Sequence, residues 1–542
     1  MSDTPTTWHK RWREFRWQTP EHFNFGAMVD HFARDHSRVA LLWEDEAGNR
    51  ARFTFADIAA RSNQVANVLH TLGVKRGDAV LLLLPRTPYW QVCYIAALKL
   101  GALAIPCTSM LREKDLVYRA NHSEAVAIIA TRENATMVGD LRSHCPSLRH
   151  FLLTGSASSG WTSLPAAMHD ASSKFAHVAT RASEPALCYY TSGTTRDPKA
   201  VLHSHAYTWS LQYSGHDWLN VKEGEVHWSP TDTGWAKAAH GVLFGPWMNG
   251  ATTLMYNGRF DPKKELELLQ RYRVASFCAP PTEYRLLVKE DLARRPLPDL
   301  RHCASAGEPL NPEVIEVWKQ CTGIAIHDGY GQTESMILAA NFPDMPIKPG
   351  SMGVPFPGHD VRVVDDDLKE TPDGEVGEMA LRIKPERPPS LFLEYWKSPA
   401  ENAAAFRGDY YLTGDQVMRD SDGYLWFVGR ADDLIISAGY RIGPFEVESA
   451  LLEHASVLES AVVASPDPDR GSIVKAFVKL RAGVVASDTL ARELQNHVKR
   501  VTAPYKYPRE IEFVDELPRT VTGKLRRAEL RRHEEQRKRA VT

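Results

Sequence analysis

Over roughly the first 400 residues of this chain, short apolar runs alternate with helical patterns, and this constrains the fold more than any other feature of the sequence. Residues 79–84 are apolar and end at Pro85, whereas residues 89–100 have a helical pattern and end at Gly101. Similar apolar runs occur at 103–106, 125–131, 151–155 and 187–191. Because these runs do not alternate polar and apolar residues, they predict strands of mostly parallel sheets that are covered on both faces. The predicted fold class is therefore α/β.

At 542 residues the chain is too long for one hydrophobic core, and its length predicts about three or four structural units. Residues 374–382 and 424–428 alternate polar and apolar positions, which predicts a small antiparallel β subdomain. The residues after Asp432, about 110 in number, suit one small α+β domain. We therefore expect a large N-terminal domain over residues 1–431, built from α/β subdomains and the small β subdomain, and a C-terminal domain over residues 432–542.

Three segments of this C-terminal domain carry clear signals. Pro444 is placed to open a helix, and residues 460–464 and 474–480 have the pattern of strands. A second helix is indicated by the spacing of Leu490, Leu494 and Val498. The charge-dense tail, residues 526–539, predicts a solvated helix end, with an interaction site as the alternative.

Composition narrows the class of protein. A formal net charge of -2 gives no general attraction to nucleic acid or to an anionic membrane, so the expected partners are small molecules bound at a site. The seven cysteines are scattered and form no C-x-x-C pair, which indicates buried thiols in a reducing compartment. Residues 1–20 have no signal-peptide pattern, and no apolar run approaches the roughly 20 residues of a membrane span. A cytoplasmic protein is the expectation.

Two segments more than three hundred residues apart suggest a single nucleotide site. Residues 190–199 read Y-T-S-G-T-T-R-D-P-K and follow a predicted strand, so backbone N–H groups, hydroxyls and Lys199 can converge on phosphate oxygens. The segment is not a Walker A loop, because no glycine precedes Lys199 and no Ser or Thr follows it. Lys524 lies in T-V-T-G-K near the C-terminus. Together they predict a nucleotide site completed by a second domain, with a polar turn that binds no ligand as the alternative for the loop.

A second constellation, Asp328-Gly329-Tyr330-Gly331-Gln332-Thr333-Glu334, follows the strand-like residues 324–327. The two glycines allow the backbone to approach a ligand, Tyr330 offers a stacking face, and Thr333 supplies a hydroxyl. Glu334 suits Mg²⁺, which takes one or two carboxylates together with phosphate oxygens and water. A purely structural turn is the alternative.

In order and spacing, these motifs resemble the acyl-adenylate-forming (AMP-binding) superfamily, whose loop reads T-S-G-T-T-G-x-P-K-G and which carries Y-G-Q-T-E. The resemblance runs from roughly residue 53 to residue 530. Within the superfamily, D-T-G-W at 232–235 and G-Y-R-I-G-P at 439–444 look most like medium-chain acyl-CoA synthetases. Arg196 and Ala200 depart from the pattern, since both stand where glycine is common. Arg196 is either strained there or adds a phosphate contact, and the sequence leaves both readings open.

The resemblance implies an extended ATP site. Asp415 accepts both ribose hydroxyls, Arg430 contacts ribose and phosphate, and residues 307–309 lie along the adenine. Lys524 stands beside the reacting carboxylate and the α-phosphate, and Thr333, Glu334 and Lys524 form the implied catalytic set, with Glu334 as the Mg²⁺ ligand. The implied ATP-binding residues are Thr191, Ser192, Gly193, Thr194, Thr195, Lys199, Gly307, Glu308, Pro309, Asp328, Gly329, Tyr330, Gly331, Gln332, Thr333, Asp415, Arg430 and Lys524.

It also implies a coenzyme A site and an acyl site. Gly439, Tyr440 and Arg441 line the pantetheine channel, and Arg470 contacts coenzyme A phosphates unless it is an ordinary surface arginine. Asp432 is the hinge about which the mobile C-terminal domain turns.

Trp235 and Gly331 are the implied acyl-site residues, with a structural core role as the alternative for Trp235. Acetate-activating relatives carry a bulky Trp at the position of Gly331, so the glycine predicts an acid longer or wider than acetate.

The implied activity is ATP-dependent synthesis of acyl-CoA from a medium-chain fatty or aromatic acid, with ATP, Mg²⁺ and coenzyme A required. Positioning and charge stabilisation suffice for this chemistry, so His203 and His205 are interpreted as loop or core histidines and not as bases. The alternatives are an enzyme that loads a carrier-protein phosphopantetheine, and a non-catalytic ligand-binding relative.

Overall fold

The computed structural model describes residues 7–137, 139, 141–191, 198–430, 432–437, 440–468, 470–519 and 525–541. Within these residues, no helix is both long enough and apolar enough to cross a membrane.

The strands are β1 (Val39–Asp45), β2 (Arg50–Thr54), β3 (Ala79–Leu83), β4 (Leu103–Cys107), β5 (Ala127–Ala130), β6 (His150–Leu153), β7 (Thr162–Ser163), β8 (Pro185–Thr191), β9 (Lys199–Ser204), β10 (Val226–Trp228), β11 (Thr252–Asn257), β12 (Val274–Ala279), β13 (His302–Ala306), β14 (Ile326–Gly331), β15 (Ile337–Ala340), β16 (Val354–Pro355), β17 (Val361–Val364), β18 (Val376–Arg382), β19 (Glu394–Tyr395), β20 (Phe406–Arg407), β21 (Tyr410–Arg419), β22 (Leu425–Arg430), β23 (Ile435–Ser437), β24 (Tyr440–Ile442), β25 (Val457–Asp467), β26 (Gly471–Leu480) and β27 (Glu510–Phe513).

The α-helices are α1 (Thr7–Glu14), α2 (Phe25–Phe32), α3 (Phe55–Thr71), α4 (Pro88–Leu100), α5 (Glu113–Ser123), α6 (Arg132–Met137), α7 (Leu141–His144), α8 (Leu164–His169), α9 (His205–Asp217), α10 (Ala236–Ala238), α11 (Gly245–Met248), α12 (Pro262–Arg271), α13 (Pro281–Leu287), α14 (Pro312–Thr322), α15 (Pro399–Ala405), α16 (Pro444–Leu452), α17 (Asp488–Val501) and α18 (Arg527–Val541). A π-helix spans Ala239–Phe244, and short 3₁₀ turns occur at Leu292–Arg294 and Pro504–Lys506.

Two large sheets form the centre of the molecule. One has the strand order β19-β9-β8-β4-β3-β5-β6-β7, and the other has the order β16-β15-β14-β13-β12-β10-β11-β1-β2. Most neighbouring strands in both sheets are parallel, with antiparallel pairs such as β8–β9 and β14–β15 towards the ends. This confirms the predicted α/β class.

The packing explains why the strand sequences are apolar at successive positions. In β3, Val80 and Leu82 face a core that includes α3, α4 and residues of the second sheet, whereas Leu81 and Leu83 face a separate core formed with α5. A strand that buries both faces has no polar side, as the sequence predicted. Downstream, α4 begins with Pro88 at its first turn and ends at Gly101, whose φ of 68° closes the helix in the left-handed region.

The smaller sheets also agree with the predictions made from the sequence. An antiparallel sheet with the order β17-β18-β21-β20, to which β22 adds, corresponds to the predicted β subdomain. Towards the C-terminus, β25, β26 and β27 form a three-stranded sheet that shares a core with α16 and α17. The buried residues of α17 are Leu490, Leu494 and Val498, the predicted stripe. The division of the chain at residues 431 and 432 stays a prediction.

Three local expectations differ from the structure. Residues 328–331 are not the structural turn given as the alternative reading: they continue β14 as far as Gly331. The C-terminal tail forms α18, but it is not merely solvated, because Glu534 is buried and accepts hydrogen bonds from Ser465 Oγ (2.9 Å) and Lys475 Nζ (2.7 Å). Six of the seven cysteines are buried thiols, as predicted, whereas Cys321 is exposed.

Candidate active site

The phosphate side of the candidate site is built on the β8–β9 hairpin. Thr191, the last residue of β8, pairs with Lys199, the first residue of β9. The pairing of the two strands therefore fixes the backbone position of Lys199. Ser192, Gly193, Thr194, Thr195 and Arg196 lie outside the described residues, as do Gly439 and Lys524.

Lys199 and Glu334 are connected through one tyrosine. Tyr395 Oη donates a hydrogen bond to Glu334 Oε1 (2.8 Å), and Lys199 Nζ lies 4.9 Å from the centre of the Tyr395 ring. Burial raises the pKa of Glu334, and the hydrogen bond from Tyr395 opposes that rise. A cation and a carboxylate expected to face phosphates therefore flank the same aromatic side chain.

The predicted ribose contacts centre on the carboxylate of Asp415, which is 4% exposed. Its Oδ2 accepts hydrogen bonds from Tyr330 Oη and from Gln332 Nε2 (2.7 Å). Its Oδ1 lies 3.2 Å from Arg430 Nε but has no hydrogen-bond partner among the described residues. Burial raises the pKa of Asp415, although Arg430 acts in the opposite direction. A buried oxygen with unused acceptor capacity suits a ligand hydroxyl.

Gln332 is held by its own partners. Its Nε2 also donates to Thr413 O (2.8 Å), and its Oε1 accepts a hydrogen bond from Tyr411 Oη (2.8 Å). The neighbouring Thr333 O accepts a hydrogen bond from His203 Nε2 (2.7 Å). His203 is buried in β9, and burial lowers its pKa to about 3. His205 is also buried, so the interpretation of both as core histidines is confirmed.

The predicted adenine segment follows β13. Gly307 has a φ of 109°, a conformation that strongly favours glycine. Glu308 is fixed by hydrogen bonds from Arg285 Nη2 (3.1 Å) and Thr282 Oγ1 (3.3 Å). Pro309 follows and is partly buried.

In the adjacent β14, Asp328 is buried, and burial raises the pKa of its carboxyl well above the usual range. Its Oδ1 has no hydrogen-bond partner among the described residues. Asp328 and Gly329 pair with Ser305 and Ala306 of β13 in parallel, so the two segments lie side by side at the carboxyl edge of the sheet.

The role of Gly331 in the acyl pocket stays a prediction, and the backbone beside this glycine is closely packed. A Cβ atom at Gly331 would lie 2.5 Å from Met336 O, because Gly331 pairs with Ile337, the first residue of β15. Gly331 therefore allows the close approach of the paired strands β14 and β15. Trp235 is partly buried and immediately precedes α10, and Lys237, two residues later, donates a hydrogen bond to Ala306 O (3.1 Å).

The described coenzyme A and hinge candidates lie between the end of β22 and the start of β26. Tyr440 is 50% exposed and stacks on Tyr505, with ring centroids 4.4 Å apart. Arg470 Nε donates to Ser437 Oγ (3.4 Å). The candidate hinge residue Asp432 is exposed, and its carbonyl accepts a hydrogen bond from Arg531 of α18. Arg441 lies on β24.

The donor set limits how a metal could be held. No group of three or more His, Cys, Asp or Glu side chains among the described residues could hold a metal ion alone. Glu334 supplies one carboxylate, held by Tyr395. One carboxylate fits Mg²⁺ that takes its other ligands from phosphate and water, the coordination usual for this ion at nucleotide sites.

Two residues of this site were not identified from the sequence. Tyr395 carries no motif signal, because it reaches the site only through the pairing of β19 with β9. Tyr411 begins the Y-L-T-G-D segment, but nothing in the sequence shows that its hydroxyl supports Gln332.

Comparison with known proteins places this geometry in a family. A family model described as AMP-binding enzyme matches residues 29–396, and one described as AMP-binding enzyme C-terminal domain matches residues 446–524. The chain is 43% identical to acyl-coenzyme A synthetase ACSM3, mitochondrial, of Mus musculus, covering 96% of this chain and 92% of the relative. It is 44% identical to acyl-coenzyme A synthetase ACSM4, mitochondrial, of Homo sapiens, covering 95% and 91%.

Solved structures agree. The anthranilate CoA ligase AuaEII in complex with anthranoyl-AMP matches with a TM-score of 0.87 at 30% identity, covering 96% of this chain and 99% of that one. A benzoate CoA ligase from Burkholderia xenovorans LB400 matches with a TM-score of 0.82 at 30% identity, covering 94% and 100%.

The relatives correct one prediction. The expectation of a cytoplasmic protein is contradicted, because the similar acyl-coenzyme A synthetases are mitochondrial proteins. The prediction was wrong because its criteria do not separate the two compartments. Free thiols and the lack of a predicted membrane span suit any reducing, aqueous compartment, including the mitochondrial matrix.

Proposed function

This chain belongs to the AMP-binding enzyme family, and from that membership we infer that it is an AMP-forming acid–thiol ligase, an ATP-dependent acyl-CoA synthetase. The observation that carries this proposal is the convergence of Tyr330, Gln332 and Arg430 on the buried carboxylate of Asp415. The relatives named as CoA synthetases and CoA ligases favour free coenzyme A over a carrier protein as the acceptor.

In the proposed first half-reaction, a carboxylate oxygen of the acid attacks the α-phosphorus of ATP. The new O–P bond replaces the bond to pyrophosphate, which leaves, and an acyl-adenylate is formed. Asp415 accepts hydrogen bonds from the ribose hydroxyls, while Lys199 and Lys524 offset the negative charge on the phosphates and on the reacting centre. Glu334 would hold Mg²⁺, which would neutralise charge on the phosphate oxygens.

In the proposed second half-reaction, the sulfur of coenzyme A attacks the carbonyl carbon of the acyl-adenylate. The C–S bond forms, the bond from carbon to the phosphate oxygen breaks, AMP leaves, and the thiol proton passes to solvent. The domain beginning at Asp432 turns between the two steps, so that Gly439, Tyr440 and Arg441 replace Lys524 beside the site and Arg470 meets coenzyme A phosphate. No side chain of the protein has to act as a nucleophile.

The proposed substrate is a carboxylic acid larger than acetate, either a medium-chain fatty acid or an aromatic acid, with Trp235 lining the acyl pocket. Support comes from relatives named as anthranilate and benzoate CoA ligases. The lack of a side chain at Gly331 supports the same size of acid, and the depth of the pocket depends on other residues as well.

The test is pyrophosphate release from the purified protein with MgATP and a panel of linear C2 to C12 and aromatic acids, with and without coenzyme A. We expect acid-dependent release that coenzyme A accelerates, with acetate among the poorest substrates. Lys524→Ala is expected to abolish release in the presence of every acid, because the charge that faces the α-phosphate is removed.

Lys538→Ala serves as the matched control, since Lys538 lies in α18 and pairs with Glu510 on β27. Release that does not respond to coenzyme A would favour a carrier-protein acceptor. Equal release by the wild-type protein and Lys524→Ala would contradict the proposed catalytic role of Lys524.

A further inference from the structure

The ammonium group of Lys199 already has an anionic partner within the protein. Lys199 Nζ forms an ion pair with a carboxylate oxygen of Glu401, a residue of α15. The side chains are 24% and 33% exposed, so the pair lies at the rim of the site, neither buried nor fully solvated. The cation expected to bind phosphate is therefore partly neutralised by the chain itself.

Strand pairing places Glu401 within reach. β19 pairs antiparallel with β9, and Tyr395 stands opposite Val201, two residues after Lys199. The segment from Tyr395 to Asn402 is closed by two hydrogen bonds, from Asn402 Nδ2 to Tyr395 O (2.8 Å) and from Tyr395 N to Asn402 Oδ1 (2.7 Å). Glu401 is thus carried on a closed loop anchored to the strand that begins with Lys199.

The same loop also contacts Glu334, the negatively charged residue of the site. Tyr395 donates its hydroxyl hydrogen to Glu334 Oε1 and presents its ring face to Lys199 Nζ. The segment 395–402 therefore holds both the phosphate cation and the candidate metal ligand. In α15, by contrast, none of the residues is buried, so the Glu401 side chain can turn to solvent without uncovering apolar surface.

We propose that Glu401 is an internal counter-anion that competes with nucleotide phosphate for Lys199 and so sets the affinity for MgATP. The proposal rests on the proposed function in one respect: it takes Lys199 as a phosphate-binding residue. Because Glu401 and the phosphates are both negative, MgATP can use Lys199 fully only after the carboxylate moves away. Affinity is lowered by the free energy of the ion pair that is broken.

The change that tests this is Glu401→Gln, which keeps the size of the side chain and removes its charge. For a partly exposed ion pair we expect the Kd for MgATP to fall about two- to fivefold. Turnover at saturating MgATP should be unchanged. Once the nucleotide is bound, Lys199 contacts the phosphates and not residue 401 in both proteins. If Glu401 served only the folding of the protein, Glu401→Gln would not lower the Kd while leaving turnover unchanged.

Glu394→Gln is the matched control. Glu394 is exposed and lies on β19, one residue before Tyr395, so this change removes the same charge from the same segment and leaves the Lys199–Glu401 pair intact. Kd is measured by titration calorimetry with MgATP alone, and turnover as acid-dependent pyrophosphate release. Thermal midpoints of the three proteins verify that all are folded.

Tighter MgATP binding by Glu401→Gln than by both the wild type and Glu394→Gln supports the proposal. Equal or weaker binding by Glu401→Gln overturns it, and weaker binding would make Glu401 a residue that positions Lys199 for phosphate. The proposed function and the proposed role of Glu401 can be contradicted independently of each other. A wild-type protein that binds MgATP but never releases pyrophosphate would contradict the proposed function and leave the Glu401 comparison valid.

Discussion

At the scale of single residues, the candidate site is defined by carboxylates whose surroundings oppose ionisation. Asp415, Asp328 and Glu334 all have pKa values raised by burial, and each lies close to a position expected to meet ATP. Groups perturbed in this way concentrate at functional sites, because desolvation is tolerated where a ligand compensates for it.

Asp415→Asn tests the ribose contact. The amide keeps the shape of the side chain but offers only one acceptor oxygen, so ribose and Tyr330 can no longer both be satisfied as before. The KM for MgATP is expected to rise about ten- to a hundredfold, since a hydrogen bond to a charged group contributes about 1.5–3 kcal/mol. Asp422→Asn, on the nearby exposed turn, should leave the KM unchanged. Equal KM values for both variants would exclude Asp415 from the nucleotide site.

Tyr395→Phe tests the control of Glu334. The hydrogen bond from Tyr395 lowers the pKa of Glu334, so its loss raises that pKa further. Glu334 must be ionised to hold Mg²⁺, and activity is therefore expected to fall as pH decreases through its raised pKa. In Tyr395→Phe the acid limb of kcat/KM for MgATP should move to higher pH. Tyr410→Phe provides the comparison, and an acid limb that stays in place in Tyr395→Phe would contradict the link between Tyr395 and Glu334.

At the scale of secondary-structure elements, the site depends on the close antiparallel pairing of β15 with β14. β14 carries Asp328, Tyr330 and Gly331, and its pairing with β15 shifts register between Tyr330 and Gly331. Directly afterwards the chain places Gln332 and Glu334 towards Asp415 and Tyr395, respectively. Backbone packing at one glycine thus determines where the functional side chains point.

Gly331→Ala is expected to destabilise the protein by about 1–3 kcal/mol, because the added methyl group would meet Met336 O and force the two strands apart. Acid-dependent pyrophosphate release should decrease together with the stability. Gly155→Ala is a matched control, since a Cβ there would have no atom within 4 Å. Denaturant unfolding gives the difference, and equal stability of the two variants would contradict the close packing at Gly331.

Helices and strands were predicted well where a local sequence pattern was enough to determine them. β3 and α4 followed from an unbroken apolar run, a proline and a glycine, and α17 followed from three apolar residues at helical spacing. The strand at 328–331 was missed because glycines read as a turn, whereas the neighbouring β13 and β15 supply the pairing that keeps them extended.

The site was predictable only in part for the same reason. Asp415, Tyr330 and Glu334 stand in motifs that are contiguous in sequence, so resemblance could identify them. Tyr395 and Glu401 approach Lys199 because β19 pairs with β9 across nearly two hundred residues, and no local pattern encodes that register. The burial of Glu534 in α18 was missed similarly, since its partner Lys475 lies on β26, more than fifty residues earlier in the chain.

At the scale of the whole molecule, a short connection joins the sheet that carries Asp415 to the C-terminal elements. β22 ends at Arg430, and Gly443, just before α16, packs so closely that a Cβ there would lie 2.0 Å from Val428 O. Across this junction, Asn311 Nδ2 donates to Ser449 Oγ (3.5 Å). The chain that leads into α16 therefore packs directly against β22.

The central claim is that the chain forms an acyl-adenylate and passes its acyl group to coenzyme A. The most direct test is a single-turnover experiment with excess enzyme, radiolabelled ATP, Mg²⁺ and the best acid of the panel, quenched and analysed by mass spectrometry. Without coenzyme A we predict enzyme-bound acyl-AMP and stoichiometric pyrophosphate, and on addition of coenzyme A conversion to acyl-CoA and AMP. Formation of ADP and inorganic phosphate, or acyl-AMP that coenzyme A does not consume, would contradict the account.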